Sequence, residues 1–285
     1  MTKNYKKKYF EWLRSAEEAA KNRDYETAAR LMRYISVYFG LINDPSKRRE
    51  FAAKAGEFYF QAARKIENKN DLSKIILLYT EAAKCFQESG RDRLVQICNS
   101  LIWNTYLAIS KSNLDIAISD LKKIGDYFRE NGDNKNAVEC YIRAAKKAYE
   151  QGRIALSGSL YADIGNCYRM LGDFRKAAES YKRAAERYFE CERYFEAARH
   201  YCDSGFLYIR VQRLGEALLM AERAEIACAK GRIDILFNDL SRICRLLSRR
   251  DLQGAMEIWS KIRMKFKMSY IELVDSCFRT LRQTT

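Results

Sequence analysis

Residues 161–188 read YADIGNCYRMLGDFRKAAESYKRAAERY, and this stretch decides the fold. Tyr161 is followed by Ile164-Gly165 and, seven positions on, by Tyr168; after Gly172-Asp173, Tyr181, Ala184-Ala185 and Tyr188 repeat the spacing twenty residues later. An aromatic, a pair containing a small residue and a second aromatic at i, i+3, i+4 and i+7 share one stripe of an α-helix, because about 3.6 residues per turn stack those positions. The phrase recurs at Tyr201, Ser204-Gly205 and Tyr208. It recurs at Tyr141 and Ala144-Ala145 with one flaw: position 148 is Ala, and the ring, Tyr149, arrives one residue late. Each unit is one helix of about five turns. The stripe places the rings in the seams between helices, with a looser seam expected at Tyr149.

Alternate units differ, so the repeat is a helix pair. Tyr161, Ile164, Gly165, Tyr168, Gly172, Asp173, Ala177, Tyr181 and Ala184 reproduce the tetratricopeptide (TPR) spacing, and Leu121, Ile124, Gly125, Phe128, Gly132, Asp133, Ala137, Tyr141 and Ala144 reproduce it again. The glycine of one helix lets the next approach closely, and the alanine and aromatic of the second fill the notch. The period is about forty residues instead of the usual thirty-four or so, and the closing proline is absent. The expectation is an all-α fold: a TPR-like right-handed α-solenoid of about fourteen antiparallel helices. Helical hairpins should occupy residues 1–231, and a capping helical bundle, continuous with them, residues 232–285.

Composition fits. The chain has one proline, Pro45, and 48% apolar residues, which suits helices with few rigid breaks. No apolar run is long enough for a transmembrane helix, and the basic start, Met1 to Lys8, is not followed by the apolar stretch of a signal peptide. Nine cysteines form no C-x-x-C pair and read as free thiols packed as small hydrophobes in a reducing cytosol. His200 is the only histidine, which leaves His-based metal sites and conventional triads little to build on. Phosphate-binding, dinucleotide and zinc-protease motifs are absent, so no catalytic residue, metal or cofactor is expected. The net charge of +15 favours encounter with acidic partners, whether protein, membrane or nucleic acid.

Residues 4 to 21 read as a basic amphipathic helix anchored by Tyr9, Phe10, Trp12 and Leu13. A second helix runs from about Tyr25 to Phe39, and the break from Gly40 to Ser46 carries Leu41 and Ile42. Ser46 is the expected N-cap of the third helix. From Asp71 the repeat is regular, apart from an expected insertion at Lys111 to Asn113. Beyond Lys230-Gly231-Arg232 three less regular helices are expected, at about 233 to 249, 251 to 267 and 269 to 282.

In a helix-pair stack the first helix of each pair lines the inner face. Lys84, Lys122, Arg129, Arg169, Arg199 and Arg210 should then form a ladder of cations for a long acidic ligand, unless they are ordinary solvated positions. Phe39, Leu41 and Ile42 form a candidate apolar tip for an anionic bilayer, helped by Lys3, Lys6, Lys7 and Lys8. The alternative is that they pack under the next helix.

Fourteen helices, a pair period near forty, the turn from Tyr38 to Pro45 and a C-terminal helical cap together resemble the soluble NSF attachment proteins (SNAPs). The resemblance implies a non-catalytic cytoplasmic adaptor of vesicle fusion and intracellular protein transport. Such an adaptor lays a basic face on the acidic SNARE coiled coil, inserts the Phe39, Leu41, Ile42 loop into the membrane and presents its last helices to the NSF ATPase. Asp251 and Leu281 are the positions where the resemblance puts the ATPase contact. This chain, however, has Arg249 and Arg250 beside Asp251, so a carboxylate-seeking ATPase would meet positive charge. Two other readings stand beside it: a generic TPR scaffold for a peptide or protein assembly, and a nucleic-acid-binding solenoid. The last is disfavoured because the aromatics occupy packing positions instead of a stacking platform.

Overall fold

The structure, a computed structural model, describes residues 2–67, 71–111, 117–233 and 235–283. Among them are fourteen α-helices and no strand: α1 (Thr2–Lys21), α2 (Tyr25–Leu41), α3 (Pro45–Ile66), α4 (Leu72–Glu88), α5 (Asp92–Lys111), α6 (Ile118–Glu130), α7 (Asn134–Glu150), α8 (Ile154–Met170), α9 (Phe174–Glu190), α10 (Tyr194–Arg210), α11 (Leu214–Gly231), α12 (Ile235–Ser248), α13 (Leu252–Ile262) and α14 (Met268–Arg282). A 3-10 turn, Arg263–Lys265, follows α13. Ser112 and Asn113 of the expected insertion lie outside the described residues, as do the side chains of Lys3, Lys6 and Lys7.

Residues 1–120 and 121–285 form two compact units. In the first, each helix from α1 to α5 packs on the next; in the second, the same order holds from α7 to α12. There α12 also touches α10, and α14 packs on α10. This sequential packing of antiparallel helices is the TPR-like arrangement.

The turns carry the twenty-residue step as firmly as the stripes do. Gly132, Gly152, Gly172, Glu192, Gln212 and Arg232 follow one another at that interval, all with positive φ. After each, the next residue's N–H reaches back to a carbonyl of the helix just ended: Asp133 to Phe128 at 2.8 Å, Asp173 to Tyr168 at 3.0 Å, Arg193 to Tyr188 at 2.8 Å and Arg213 to Tyr208 at 2.8 Å. This is the bond that ties off a helix ending in a left-handed residue. Glu192 and Gln212 hold that conformation with a side chain, which costs energy that glycine avoids. Gln212→Gly should therefore raise stability by about 0.5 to 1 kcal/mol, read as an upward shift of the melting temperature. An unchanged or lower value would sink the argument.

Helix starts follow simple capping chemistry. Asp24, Asp44, Asp71, Asp133, Asp173 and Asp251 each accept the backbone N–H three residues on. The expected cap at Ser46 is corrected to Asp44, whose carboxylate takes the Lys47 N–H at 3.1 Å. Pro45 has no N–H to satisfy and so fits the first helical position. The second helix also runs two residues beyond Phe39, to Leu41.

Inside the second unit the glycine notch works as the spacing predicts. A Cβ on Gly125 would lie 2.6 Å from a ring carbon of Tyr141, and one on Gly165 would lie 2.9 Å from a ring carbon of Tyr181. Tyr141 and Tyr181 are buried. Not every ring sits in a seam, however. Tyr161 and Tyr168 are half-buried, with Arg183 and Lys176 over their faces at 5.8 and 5.4 Å. The late ring, Tyr149, is exposed and lies 3.6 Å from the Arg187 guanidinium, while Ala148 takes the buried position. Long cationic side chains of α9 meet all three rings, where burial in a seam was expected. Eight of the nine cysteines are buried.

Candidate functional site

The six expected inner-face cations meet three different fates. Lys84 pairs with Glu81 at 3.6 Å. Lys122 donates to Asp126 at 2.7 Å, and Arg129 bridges Asp126 at 3.3 Å and Asp163 at 3.0 Å. Tyr141 also donates its hydroxyl to Asp126 at 2.6 Å. Burial alone would raise the Asp126 carboxyl, but the Lys122 and Tyr141 hydrogen bonds and the nearby charges hold it below its ordinary value. Asp163 goes the other way: burial outweighs Arg129 and raises it. Two carboxylates and two cations neutralise one another here, so Lys122 and Arg129 act as a brace between α6 and α8 and not as free rungs. Arg210 lies flat over Phe174, its guanidinium carbon 3.8 Å from the ring centroid.

Arg169 and Arg199 remain, and the structure brings them together. With Lys265 and Lys267 they line a cavity of about 440 Å³ in the second unit. Among the described residues none of these four cations makes an ion pair. The back of the cavity is built by α9 and α10. The Tyr181 hydroxyl donates to Asn166 at 2.7 Å, and the His200 ring stacks between Tyr181 and Tyr188, 5.7 Å from each. His200 Nδ1 lies 3.1 Å from Asp203 Oδ2, and both residues are buried. The one histidine is thus a packed and partnered ring. Phe195 and Phe237 form an edge-to-face pair at 4.9 Å, and Phe266 stacks on Tyr270 at 5.1 Å, giving the cavity apolar walls. Sequence reasoning missed Lys265 and Lys267 because it placed them in a helix running to about 267, whereas α13 ends at Ile262 and both lysines lie in the link to α14.

The first unit has a cavity of about 500 Å³ of different character. Glu26, Asp71, Glu81 and Asp120 line it with Arg30 and Lys74, so carboxylates outnumber cations.

At the α1–α2 end, the expected apolar tip is corrected. Phe39 is 4% exposed, stacked on Phe51 at 5.4 Å and edge-on to Tyr9 at the same distance. It packs inward because α2 continues through it and turns that face onto α3. Leu41, 78% exposed, and Ile42, 47%, do stand in solvent. Phe10, Tyr34 and Val37 are exposed too, and Trp12, Tyr34, Val37, Tyr38 and Leu41 line an apolar groove of about 240 Å³.

At the other end Leu281 is corrected as a contact residue: at 1% exposure it belongs to the core, on the inner stripe of α14. Asp251 caps α13, accepting the Gly254 N–H at 2.9 Å, and Arg249 and Arg250 are exposed beside it. No helix among the described residues is long and apolar enough to cross a membrane.

Packed helix pairs with grooves and exposed patches define a helical-repeat protein-interaction adaptor. A family model described as soluble NSF attachment protein, SNAP, matches residues 47–157 and 150–270, and the chain belongs to that family. No curated protein matches it significantly in sequence. Among solved structures it is similar to BtubC (BKLC) from P. vanneervenii, at 16% identity over 81% of this chain and 92% of that one, with a TM-score of 0.40. It is also similar to aspartyl phosphate phosphatase F from Bacillus subtilis, at 14% identity over 94% and 73% of the two chains, TM-score 0.42. A third is the TPR2AB domain of yeast Sti1 in complex with an HSP90 peptide, at 15% identity over 89% and 98%, TM-score 0.29. Likeness at this level carries no weight for function.

Proposed function

We propose that this chain is a SNAP-type adaptor that binds an acidic helical bundle of the SNARE kind, rests on an anionic membrane surface and presents the bundle to an NSF-like ATPase. The observation that carries the reading is the family match, which spans most of the chain. Site chemistry supports it at two places. Arg169 and Arg199, on neighbouring first helices of their pairs, have no carboxylate partner, so an incoming acidic residue need not displace one. Leu41 and Ile42 offer apolar surface, with Lys47, Arg48 and Arg49 following in the first turns of α3. At the C-terminal end, Arg249 and Arg250 beside Asp251 require an ATPase surface that is acidic there, unlike the carboxylate-seeking one the resemblance implies. A generic scaffold is the second reading, favoured by the carboxylate-lined cavity of the first unit.

The membrane part is tested by co-sedimentation with vesicles containing phosphatidylserine. Leu41→Ser/Ile42→Ser is expected to lose most of the bound fraction, while Phe39→Ser loses stability instead. Equal sedimentation of the parent and the Leu41/Ile42 variant would remove the membrane from the proposal.

A further inference from the structure

The geometry points to the cavity between α8, α10 and the start of α14 as a binding site for a small molecule carrying two or more phosphate groups. This goes beyond the adaptor reading and does not depend on it. Four cations from three elements face one cavity: Arg169 from α8, Arg199 from α10, and Lys265 and Lys267 from the link into α14. The carboxylate there, Asp203, is held by His200 at 3.1 Å. A single partner carboxylate would leave most of this charge unneutralised, whereas a polyphosphate matches it.

Size and shape agree. A cavity of about 440 Å³ lies in the range that small molecules occupy, about 300 to 1,000 Å³. An α-helix, about 10 Å across with its side chains, is too wide to enter, so an acidic bundle reaches Arg169 and Arg199 only with individual side chains. Phe195, Phe237 and Phe266 supply apolar walls against which the body of the ligand can lie.

Tyr270 and Ser269, in the first turn of α14, also line the cavity. That helix starts without a side-chain cap, and an uncapped helix start favours an anion.

The test is calorimetric titration of the full chain with inositol hexakisphosphate, ATP and inorganic phosphate, and flotation with vesicles containing phosphatidylinositol 4,5-bisphosphate. Saturable binding of a soluble polyphosphate, well above that of inorganic phosphate, is expected. Binding to the vesicles with none to the soluble probes would assign the same chemistry to a lipid headgroup. Lys265→Gln/Lys267→Gln should weaken binding by at least about tenfold. Lys54→Gln/Lys146→Gln, at exposed positions elsewhere, should change it little.

The proposal is overturned if no phosphorylated probe binds at millimolar concentration, if Lys265→Gln/Lys267→Gln binds like the parent, or if the Lys54/Lys146 control loses as much. Failure to bind an acidic helical bundle would count against the adaptor reading and leave this result standing.

Discussion

Tyr181→Ala is expected to cost about 3 to 5 kcal/mol of folding stability, and Tyr161→Ala less than about 1.5 kcal/mol, although the two rings occupy equivalent positions in the sequence repeat. The difference lies in what surrounds them. Tyr181 is 3% exposed, closes the notch over Gly165, stacks on His200 and donates its hydroxyl to Asn166. Removing it opens a cavity where α8, α9 and α10 meet and leaves the Asn166 oxygen without its donor. Tyr161 is half-buried, and its face is covered by the solvent-exposed end of Arg183, which can re-solvate when the ring is gone. Urea midpoints measured at unchanged m-value report the two losses. Equal losses would mean that the repeat position, and not the packing around it, sets the energetics.

The second large effect is alkaline unfolding of residues 121–285. Cys202, Cys244 and Cys277 are fully buried. Burial pushes the Cys277 thiol up to about 12, and it raises Cys202 and Cys244 as well. In the unfolded chain these thiols ionise near 8.5. Above that value the unfolded state binds fewer protons than the folded one, so stability falls as pH rises. The contribution is complete below about pH 8.5 and drains away toward the folded values, at about 1.4 kcal/mol per pH unit for each thiol. The three contributions act in the same direction, so the loss grows steeply between the unfolded and the folded values. Denaturant midpoints at pH 8, 9, 10 and 11 should fall steeply. Cys277→Ala should flatten the slope, and a flat profile to pH 11 would contradict the burial argument.

The scaffold was legible in the sequence because its rule is local. Gly125 with Tyr141 and Gly165 with Tyr181 lie sixteen residues apart, within one helix pair, and the spacing alone brings them together. The turns were half legible: Gly132 and Gly172 announce left-handed caps, whereas Glu192 and Gln212 adopt the same conformation with no glycine to mark it. The sites were less legible, since they depend on neighbours far along the chain. Arg129 is claimed by Asp163, thirty-four residues away in another pair, and no single-helix stripe displays that. Leu281 and Phe39 were placed outside by their position in the chain but inside by the face of the helix that carries them. Lys265 and Lys267 reach the cavity from the link to α14, where a helix was expected.

The central claim is that the unpaired cations of the second unit, and not the braced ones, receive an acidic helical partner. The direct measurement is the anisotropy-derived Kd of a labelled acidic four-helix coiled coil, compared between Arg169→Glu/Arg199→Glu and Lys122→Glu/Arg129→Glu. The first variant should weaken binding by about a hundredfold, because like charges then face each other across the interface, while its melting temperature stays near the parent's. The second should melt earlier but, where folded, bind within about threefold of the parent, the weaker general field being its main effect. Unchanged affinity in a folded Arg169→Glu/Arg199→Glu variant would contradict the account.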